Sequence, residues 1–260
     1  MPELPEVEHA AARLRQVALG AVITGTRVRH PALARAFPPD AQGAVAGEAI
    51  IQVARRGKVQ LVTLSGGGTL EVHFRLAGDW AFGGGEDPPA PHERVRLELD
   101  GGRWVALTDP RALSVVRYHA PGALPPSALG PEPLEPGFTV EGLLAALGRR
   151  RVAIKVALLD QRVVAGVGNI YAAEALWEAR IHPGAVASRL ARVRVARLHA
   201  AIREVLRTAP EGRYHAPDGV REGWRVYGRE GAPCGRCGAA VRRLVQGARS
   251  SYFCPRCQAR

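Results

Sequence analysis

Residues 121–137 read PGALPPSALGPEPLEPG, with six prolines and three glycines. Proline has no N–H to give to a helix or a central strand, so this stretch reads as an interdomain linker. The chain on either side of it differs in kind. Ahead of it, residues 4–18 place Val7, Ala10, Ala11, Leu14, Val17 and, just beyond, Leu19 at helical spacing, the pattern of an amphipathic helix. Segments of β type follow at 49–53, 59–64, 69–76, 94–99 and 104–107. Gly66-Gly67-Gly68 and Asp100-Gly101-Gly102 supply turns between them, and Gly83-Gly84-Gly85 with Pro88-Pro89 reads as a flexible loop. Short antiparallel strands with one helix predict a β-sandwich over residues 1–120.

Beyond the linker the apolar period becomes helical, at 140–147, 154–159, 170–179 and 188–206, with Gly- or Pro-containing breaks between. From residue 226 onward, short strands surround four cysteines. The expected fold is α+β. An N-terminal β-sandwich with a helix occupies 1–120 and the linker 121–137. A helical domain fills 138–225, and a cysteine-rich finger closes the chain at 226–260.

Hydrophobic residues at 47% and charged residues at 23% fit a folded globular protein. The formal charge of +12 is concentrated near the end: residues 186–260 hold 16 arginines and no lysine against five acids. A basic surface of that kind suits a polyanion, and nucleic acid above all. Only two lysines occur in the chain, Lys58 and Lys155. A lysine offers a compact point charge whose pKa can move, which arginine cannot. No apolar run approaches the roughly 18 residues needed to span a bilayer. The first residues, MPELPEVE, carry acids where a signal peptide would be basic and then apolar. The expectation is a cytoplasmic protein with no membrane partner.

Cys234-Gly-Arg-Cys237 and Cys254-Pro-Arg-Cys257 are two C-x2-C pairs 16 residues apart, and they account for every cysteine. Four thiolates at this spacing suit one tetrahedral Zn²⁺. With Cys234, Cys237, Cys254 and Cys257 all ligating, no position is open to water. The zinc is expected to be structural, holding a hairpin that contains Arg242, Arg243 and Arg249.

Five separated segments then resemble one family. They are Pro2-Glu3-Leu4-Pro5-Glu6-Val7-Glu8, Arg55-Arg56-Gly57-Lys58, Asp109-Pro110-Arg111, the run DQRVVAGVGNIYA at 160–172, and Val226-Tyr227-Gly228-Arg229 leading into the cysteines. In this order they resemble the formamidopyrimidine-DNA glycosylases, a group that also includes endonuclease VIII. The resemblance implies a bifunctional DNA glycosylase and abasic-site lyase of base excision repair. Its partner would be damaged double-stranded DNA, acted on by a bacterial, nucleoid-associated monomer.

The N-terminal segment makes chemical sense in those terms. Removal of Met1 would expose Pro2 as a secondary amine, of which about 10–20% is neutral at pH 7 for an ordinary α-amino pKa. Attack on the sugar C1′ gives an iminium that acidifies the C2′ hydrogens, after which β- and δ-elimination release the phosphates. Glu3 would shuttle protons beside that amine. By resemblance Lys58 is a strand-borne lysine near the lesion, and Arg249 grips the phosphate next to the damaged nucleotide. Lys155, Asn169 and His92 contact DNA. The 160–172 run is a helix–two-turns–helix in which Gly166 and Gly168 permit close turns and helix amides help bind phosphate. Extruding a base costs a few kcal/mol, which side chains filling the vacated space offset. Here the filling set would be Leu76, Arg111 and Leu113.

Two departures from the family pattern bear on the lesion. Leucine replaces methionine at 76 and phenylalanine at 113, which weakens stacking on the opposite base. The segment 207–225 is shorter than usual and lacks the Gly-Gly-Thr of the loop that caps 8-oxoguanine. Oxidised purines (8-oxoguanine, formamidopyrimidines) remain the expected substrates, with an endonuclease VIII-like preference for oxidised pyrimidines as the alternative. A DNA-binding scaffold without catalysis is the reading from another class.

Overall fold

The computed structural model describes residues 1–209 and 223–259. The chain forms two compact units, one of residues 1–2 and 6–127 and the other of residues 3–5 and 128–260.

The first unit is built on helix α1 (Leu4–Ala18), whose Val7, Ala10, Ala11, Leu14 and Ala18 are all buried. Glu6 in its first turn and Arg15 in its last complement the helix dipole. Gly20, at φ +81°, ends it. Leu19 lies past the helix and is 54% exposed, so the apolar face stops one residue short of the sequence expectation.

Eight strands follow in two antiparallel sheets. One has the order β1 (Ile23–Val28), β6 (Glu93–Leu99), β7 (Arg103–Thr108), β5 (Asp79–Gly84). The other runs β2 (Ile50–Arg56), β3 (Val59–Leu64), β4 (Thr69–His73), β8 (Val115–His119). Val95, Leu97 and Leu107 from the first and Val62, Leu70, Val72 and Val116 from the second join the α1 side chains in one core, the face-to-face packing of a sandwich. Two short helices, α2 (Pro31–Ala36) and α3 (Pro39–Val45), each open on proline and bury Leu33 and Val45.

Several sequence expectations shift here. Gly83 and Gly84, read as loop, lie in β5 and pair with Trp104 and Arg103. A Cβ on Gly83 would stand 2.2 Å from the Trp104 ring, so the indole fills the space the glycine leaves. The segment read as a strand over 69–76 ends at His73, because Arg75 turns the chain at φ +55°. β1, β5, β8, α2 and α3 were not foreseen.

The second unit packs α4 (Val140–Gly148), α5 (Ile154–Leu159), α6 (Asn169–Glu178) and α7 (Arg192–Arg207) around Leu143, Leu147, Ile154, Leu158, Tyr171, Leu176, Leu198 and Ile202. α6 is its centre: every residue from Tyr171 to Trp177 is buried. The helix expected over 188–206 is a 3₁₀ turn at Ala187–Arg189 followed by α7. A hairpin of β9 (Arg242–Gln246) and β10 (Arg249–Phe253) closes the unit.

The proline-rich stretch 121–137 is not free chain throughout. Gly130 N–H donates to Gln161 O at 2.8 Å, Ala165 N–H donates to Pro131 O at 3.0 Å, and Arg203 donates to Pro133 O at 3.1 Å. Proline removes a donor but leaves the carbonyl, so extended chain of this composition can still be strapped down through its acceptors.

Gln60, fully buried on β3, links three elements of the sandwich. Its amide donates to Val7 O at 3.2 Å and accepts from the Trp80 indole at 2.7 Å. Gln60→Leu keeps the volume but strands the buried Trp80 indole N–H, while Val7 O stays in the α1 ladder. It should lower stability by about 1–3 kcal/mol, measured by urea unfolding followed through tryptophan fluorescence.

Candidate active site

Glu3 is 2% exposed, and its carboxylate is taken up by the first turn of α6. Gly168 N–H donates to Oε2 at 2.7 Å, Ile170 N–H to Oε1 at 2.9 Å and Tyr171 N–H to Oε2 at 3.3 Å. These are the unpaired amides of a helix start, where the dipole also favours negative charge. The close approach depends on two glycines. A Cβ on Gly168 would lie 2.4 Å from Glu3 Cδ, and one on Gly166 2.6 Å from Leu4 Cβ, with Gly166 also at φ +78°. The turn itself is held by Gln161, which accepts from Gly166 N–H at 2.9 Å and donates to Val167 O at 2.8 Å.

Three more predicted residues of this unit gather at the same helix start. Lys155 is 1% exposed on α5. Its ammonium donates to Asn169 Oδ1 and, at 3.1 Å, to Ser250 O, which also accepts from Asn169 Nδ2 at 3.1 Å. Burial pushes Lys155 down to about 8, the Glu3 carboxylate pulls it back up in part, and the Arg249 charge lowers it again. Arg249 itself is exposed at the head of β10. Gly247 and Ala248 before it both have positive φ, the two-residue turn that matches strand twist.

The first unit holds the other predicted residues. Pro2 is buried. Lys58 is half-buried in the two-residue turn Gly57-Lys58 between β2 and β3, a correction to the strand position expected of it. Gly57, at φ +58°, takes the first turn position, where glycine is wanted. Arg55 steadies the turn, donating to Gly57 O at 3.1 Å and to Glu8 of α1 at 2.8 Å. Leu76 sits half-buried in the turn after β4. Arg111 and Leu113 stand exposed on the loop between β7 and β8, Leu113 at 48%. His92 is exposed and strained at φ +59°.

Sequence reading gave no role to three groups. His73 pairs across the ladder with Val59, beside Lys58. Burial, then the charges of Arg75 and Lys58, push its pKa down to about 4, so the ring is neutral. Its Nδ1 accepts from Arg75 N–H at 2.9 Å, which leaves the proton on Nε2. Glu174 on α6 accepts from Arg225, Val226 and Tyr227 N–H at 2.7, 3.0 and 2.8 Å, anchoring the entry to the finger. Asp109 is the third: it is fully buried, and its loop carries Arg111 and Leu113. Charge alone does not mark such acids, because their partners are backbone amides that sequence cannot display.

The four cysteines converge. All are thiols, and their sulfurs lie within 4.8 Å of one another, with Cys237 and Cys254 at 3.4 Å and Cys234 and Cys257 at 4.0 Å. Tetrahedral zinc with sulfur at about 2.3 Å needs sulfur–sulfur edges of about 3.8 Å, so the residues fit one Zn²⁺. The Trp177 indole N–H approaches Cys234 Sγ at 3.5 Å, an outer contact of the kind that orients a ligand. Gln258 accepts from Cys254 N–H at 2.8 Å and donates to Ile181 O at 2.9 Å, while His182 packs edge-on against Phe253. The finger is therefore seated on the loop that follows α6.

Comparison with known proteins agrees along the whole chain. Residues 1–116 match the formamidopyrimidine-DNA glycosylase N-terminal domain, 129–215 the H2TH domain of the same enzymes, and 231–260 the zinc finger found in FPG and IleRS. The formamidopyrimidine-DNA glycosylase of Rhizorhabdus wittichii is 42% identical over 274 residues, covering 99% of this chain and 100% of its own. Two solved structures of Lactococcus lactis Fpg superpose on 99% of this chain and 100% of theirs at 27% identity. One, with Fapy-dG-containing DNA, gives a TM-score of 0.92; the other, with abasic-site DNA, gives 0.91. Among the described residues no helix is long and apolar enough to cross a membrane. The chain belongs to the formamidopyrimidine-DNA glycosylase family, DNA glycosylases of base excision repair that also act as abasic-site lyases.

Proposed function

We propose that this chain removes oxidised purines, 8-oxoguanine and formamidopyrimidines, from double-stranded DNA and then cuts the strand through a Schiff base on Pro2. The observation that carries the reading is the seating of Glu3 on the amides of Gly168, Ile170 and Tyr171. It fixes the residue next to the nucleophile, with its carboxylate on the amides of a helix start, where the dipole favours negative charge. With Met1 cleaved, the neutral Pro2 nitrogen attacks C1′ as the bond from C1′ to the damaged base breaks; the base leaves with that electron pair and takes up a proton, and Pro2 becomes an ammonium. Glu3 takes the proton that the ammonium sheds and hands it to O4′ as the sugar ring opens, leaving an iminium between Pro2 and C1′. The iminium acidifies C2′; loss of a C2′ proton to the carboxylate expels the 3′ phosphate, and a second proton loss from the conjugated chain expels the 5′ phosphate.

The remaining residues bind. Lys58, with neutral His73 beside it as an N–H donor, holds phosphate near the lesion, as do Asn169 and Lys155. Arg249 grips the phosphate adjoining the damaged nucleotide, and His92 contacts the backbone. Leu76, Arg111 and Leu113 fill the space left by the extruded base. The sandwich of residues 1–120 then supplies the nucleophile and the wedge. Residues 138–225 and the finger of 226–260 supply the phosphate grip. The protein works as a cytoplasmic monomer. The shortened capping segment lies largely at residues 210–222, outside the described residues. Leu113 favours relaxed discrimination of the opposite base, because an aliphatic side chain stacks poorly.

Pro2→Gly should lower cleavage of an abasic duplex by about two orders of magnitude or more, with duplex affinity little changed. Borohydride reduction on the same duplex should link wild-type protein covalently, and a wild type that cannot be trapped has no Schiff base. On duplexes carrying 8-oxoguanine, formamidopyrimidine or 5-hydroxyuracil, the two purine lesions should be excised fastest. Opposite cytosine and opposite adenine should differ less than in an enzyme with phenylalanine at 113; faster excision of 5-hydroxyuracil would establish the endonuclease VIII-like preference instead. Cys254→Ser should release zinc and disorder the Arg249 hairpin, lowering affinity for every duplex. The slope of log affinity against log salt should shrink by about 0.9 for the lost phosphate contact. Unchanged affinity after confirmed zinc loss would remove the finger from DNA binding.

A further inference from the structure

The three wedge side chains are carried on two separate loops, yet one buried carboxylate organises their meeting point. Asp109 is 0% exposed at the end of β7. Its Oδ1 accepts from Arg111 N–H at 2.9 Å. Its Oδ2 accepts from Leu113 N–H at 2.8 Å and from both the N–H and the hydroxyl of Ser114 at 2.7 Å. Burial alone would raise its pKa, but the Ser114 hydroxyl and the three amides outweigh that and hold it below the usual carboxylate range. The Asp109 backbone is fixed as well, its N–H donating to His92 O at 3.0 Å and its carbonyl accepting from Arg94 Nε at 2.7 Å. Between the two wedge residues, Ala112 is forced to φ +52°, a conformation that a non-glycine residue keeps only when its surroundings impose it.

The contact continues to the other loop. The single proton of the Ser114 hydroxyl has two acceptors in reach, Asp109 Oδ2 at 2.7 Å and Phe74 O at 3.1 Å. Phe74 O also accepts from Gly78 N–H at 3.0 Å, closing the turn that bears Leu76. A Cβ on Gly78 would stand 2.6 Å from Ser114 Oγ and 2.9 Å from Phe74 Cα. The loops abut with no room for a methyl group.

We propose that Asp109 is a positioning residue that, through Ser114, fuses the Leu76 turn and the Arg111–Leu113 loop into one preformed wedge. It touches no DNA. It spares the enzyme the ordering of two loops at the moment the base leaves the stack. This rests on the reading of Leu76, Arg111 and Leu113 as the residues that enter the duplex.

The test compares an abasic site in a duplex with one in a single strand, where there is no stack to open. Asp109→Asn turns an acceptor into an N–H₂ facing amide donors. Its loss of duplex cleavage should exceed its loss on the single strand by roughly tenfold or more. Ser114→Ala, a milder change, should show the same bias at about threefold. 2-Aminopurine opposite the abasic site should brighten when wild type binds and brighten less with either variant. Equal losses on both substrates would mean that Asp109 serves folding alone, and wild-type duplex cleavage would mean that the wedge forms without it; either overturns the proposal. Wild-type protein that leaves 2-aminopurine dark would instead sink the underlying wedge reading.

Discussion

The chain begins in the grip of a helix it reaches only 165 residues later: Glu3 accepts from Gly168, and through the next turn from Ile170 and Tyr171. A free N-terminus normally frays, since nothing offsets the entropy of ordering it. Here three charge-assisted hydrogen bonds to otherwise unpaired amides provide that offset. Once Glu3 is fixed, Pro2 is fixed with it by covalent continuity. The sequence DQRVVAGVGN matters because it delivers these amides: Gln161 shapes the turn, and Gly166 and Gly168 make space for Leu4 and Glu3. A side chain at either glycine would push away the segment that directly follows Pro2.

The same helix start carries a second layer of electrostatics. Lys155 is buried where Asn169 Oδ1 and Ser250 O receive its protons, and Ser250 is the neighbour of Arg249. One ammonium thus ties α5, α6 and the finger hairpin together through neutral oxygens, close enough to Glu3 and Arg249 to feel both charges. Arginine would not fit this role. Its planar fork spreads five donors over a wide group, where the lysine brings one compact charge to two carbonyl-type oxygens.

Sequence made some of this legible and hid the rest for definable reasons. Apolar period locates α1 and β3, because each buries one face, and the Asp100-Gly101-Gly102 turn adds the pairing of β6 with β7. Cysteine spacing alone indicates the metal centre. Gly83-Gly84 misled because a glycine pair is the usual mark of a loop, while here Trp104 from the neighbouring strand occupies the vacancy. The prolines of 121–137 misled because they announce the loss of donors but say nothing of acceptors, and from residue 128 the stretch counts with the helical unit. Lys58 is half a step from its expected place, in a turn that Gly57 makes obligatory. His73 and Glu174 were silent because a histidine on a strand and a glutamate on a helix are ordinary until their partners are known.

Those partners share a pattern. Glu3, Asp109 and Glu174 are buried acids, and each is satisfied by three backbone amides where a salt bridge could have served. In a chain this rich in arginine the choice has a consequence. An acid paired with a guanidinium consumes a cation that DNA phosphates could have used, and the sandwich does contain such a pair in Glu93 with Arg96 and Arg29. A hydrogen bond from a backbone amide takes up no guanidinium. These acids also sit at three points that the fold holds in place: the chain start, the loop of Arg111 and Leu113, and the entry to the finger. Fixing those points with backbone dipoles leaves Arg111 and Arg249 exposed, so the surface can bind a polyanion without loosening the frame that aims it.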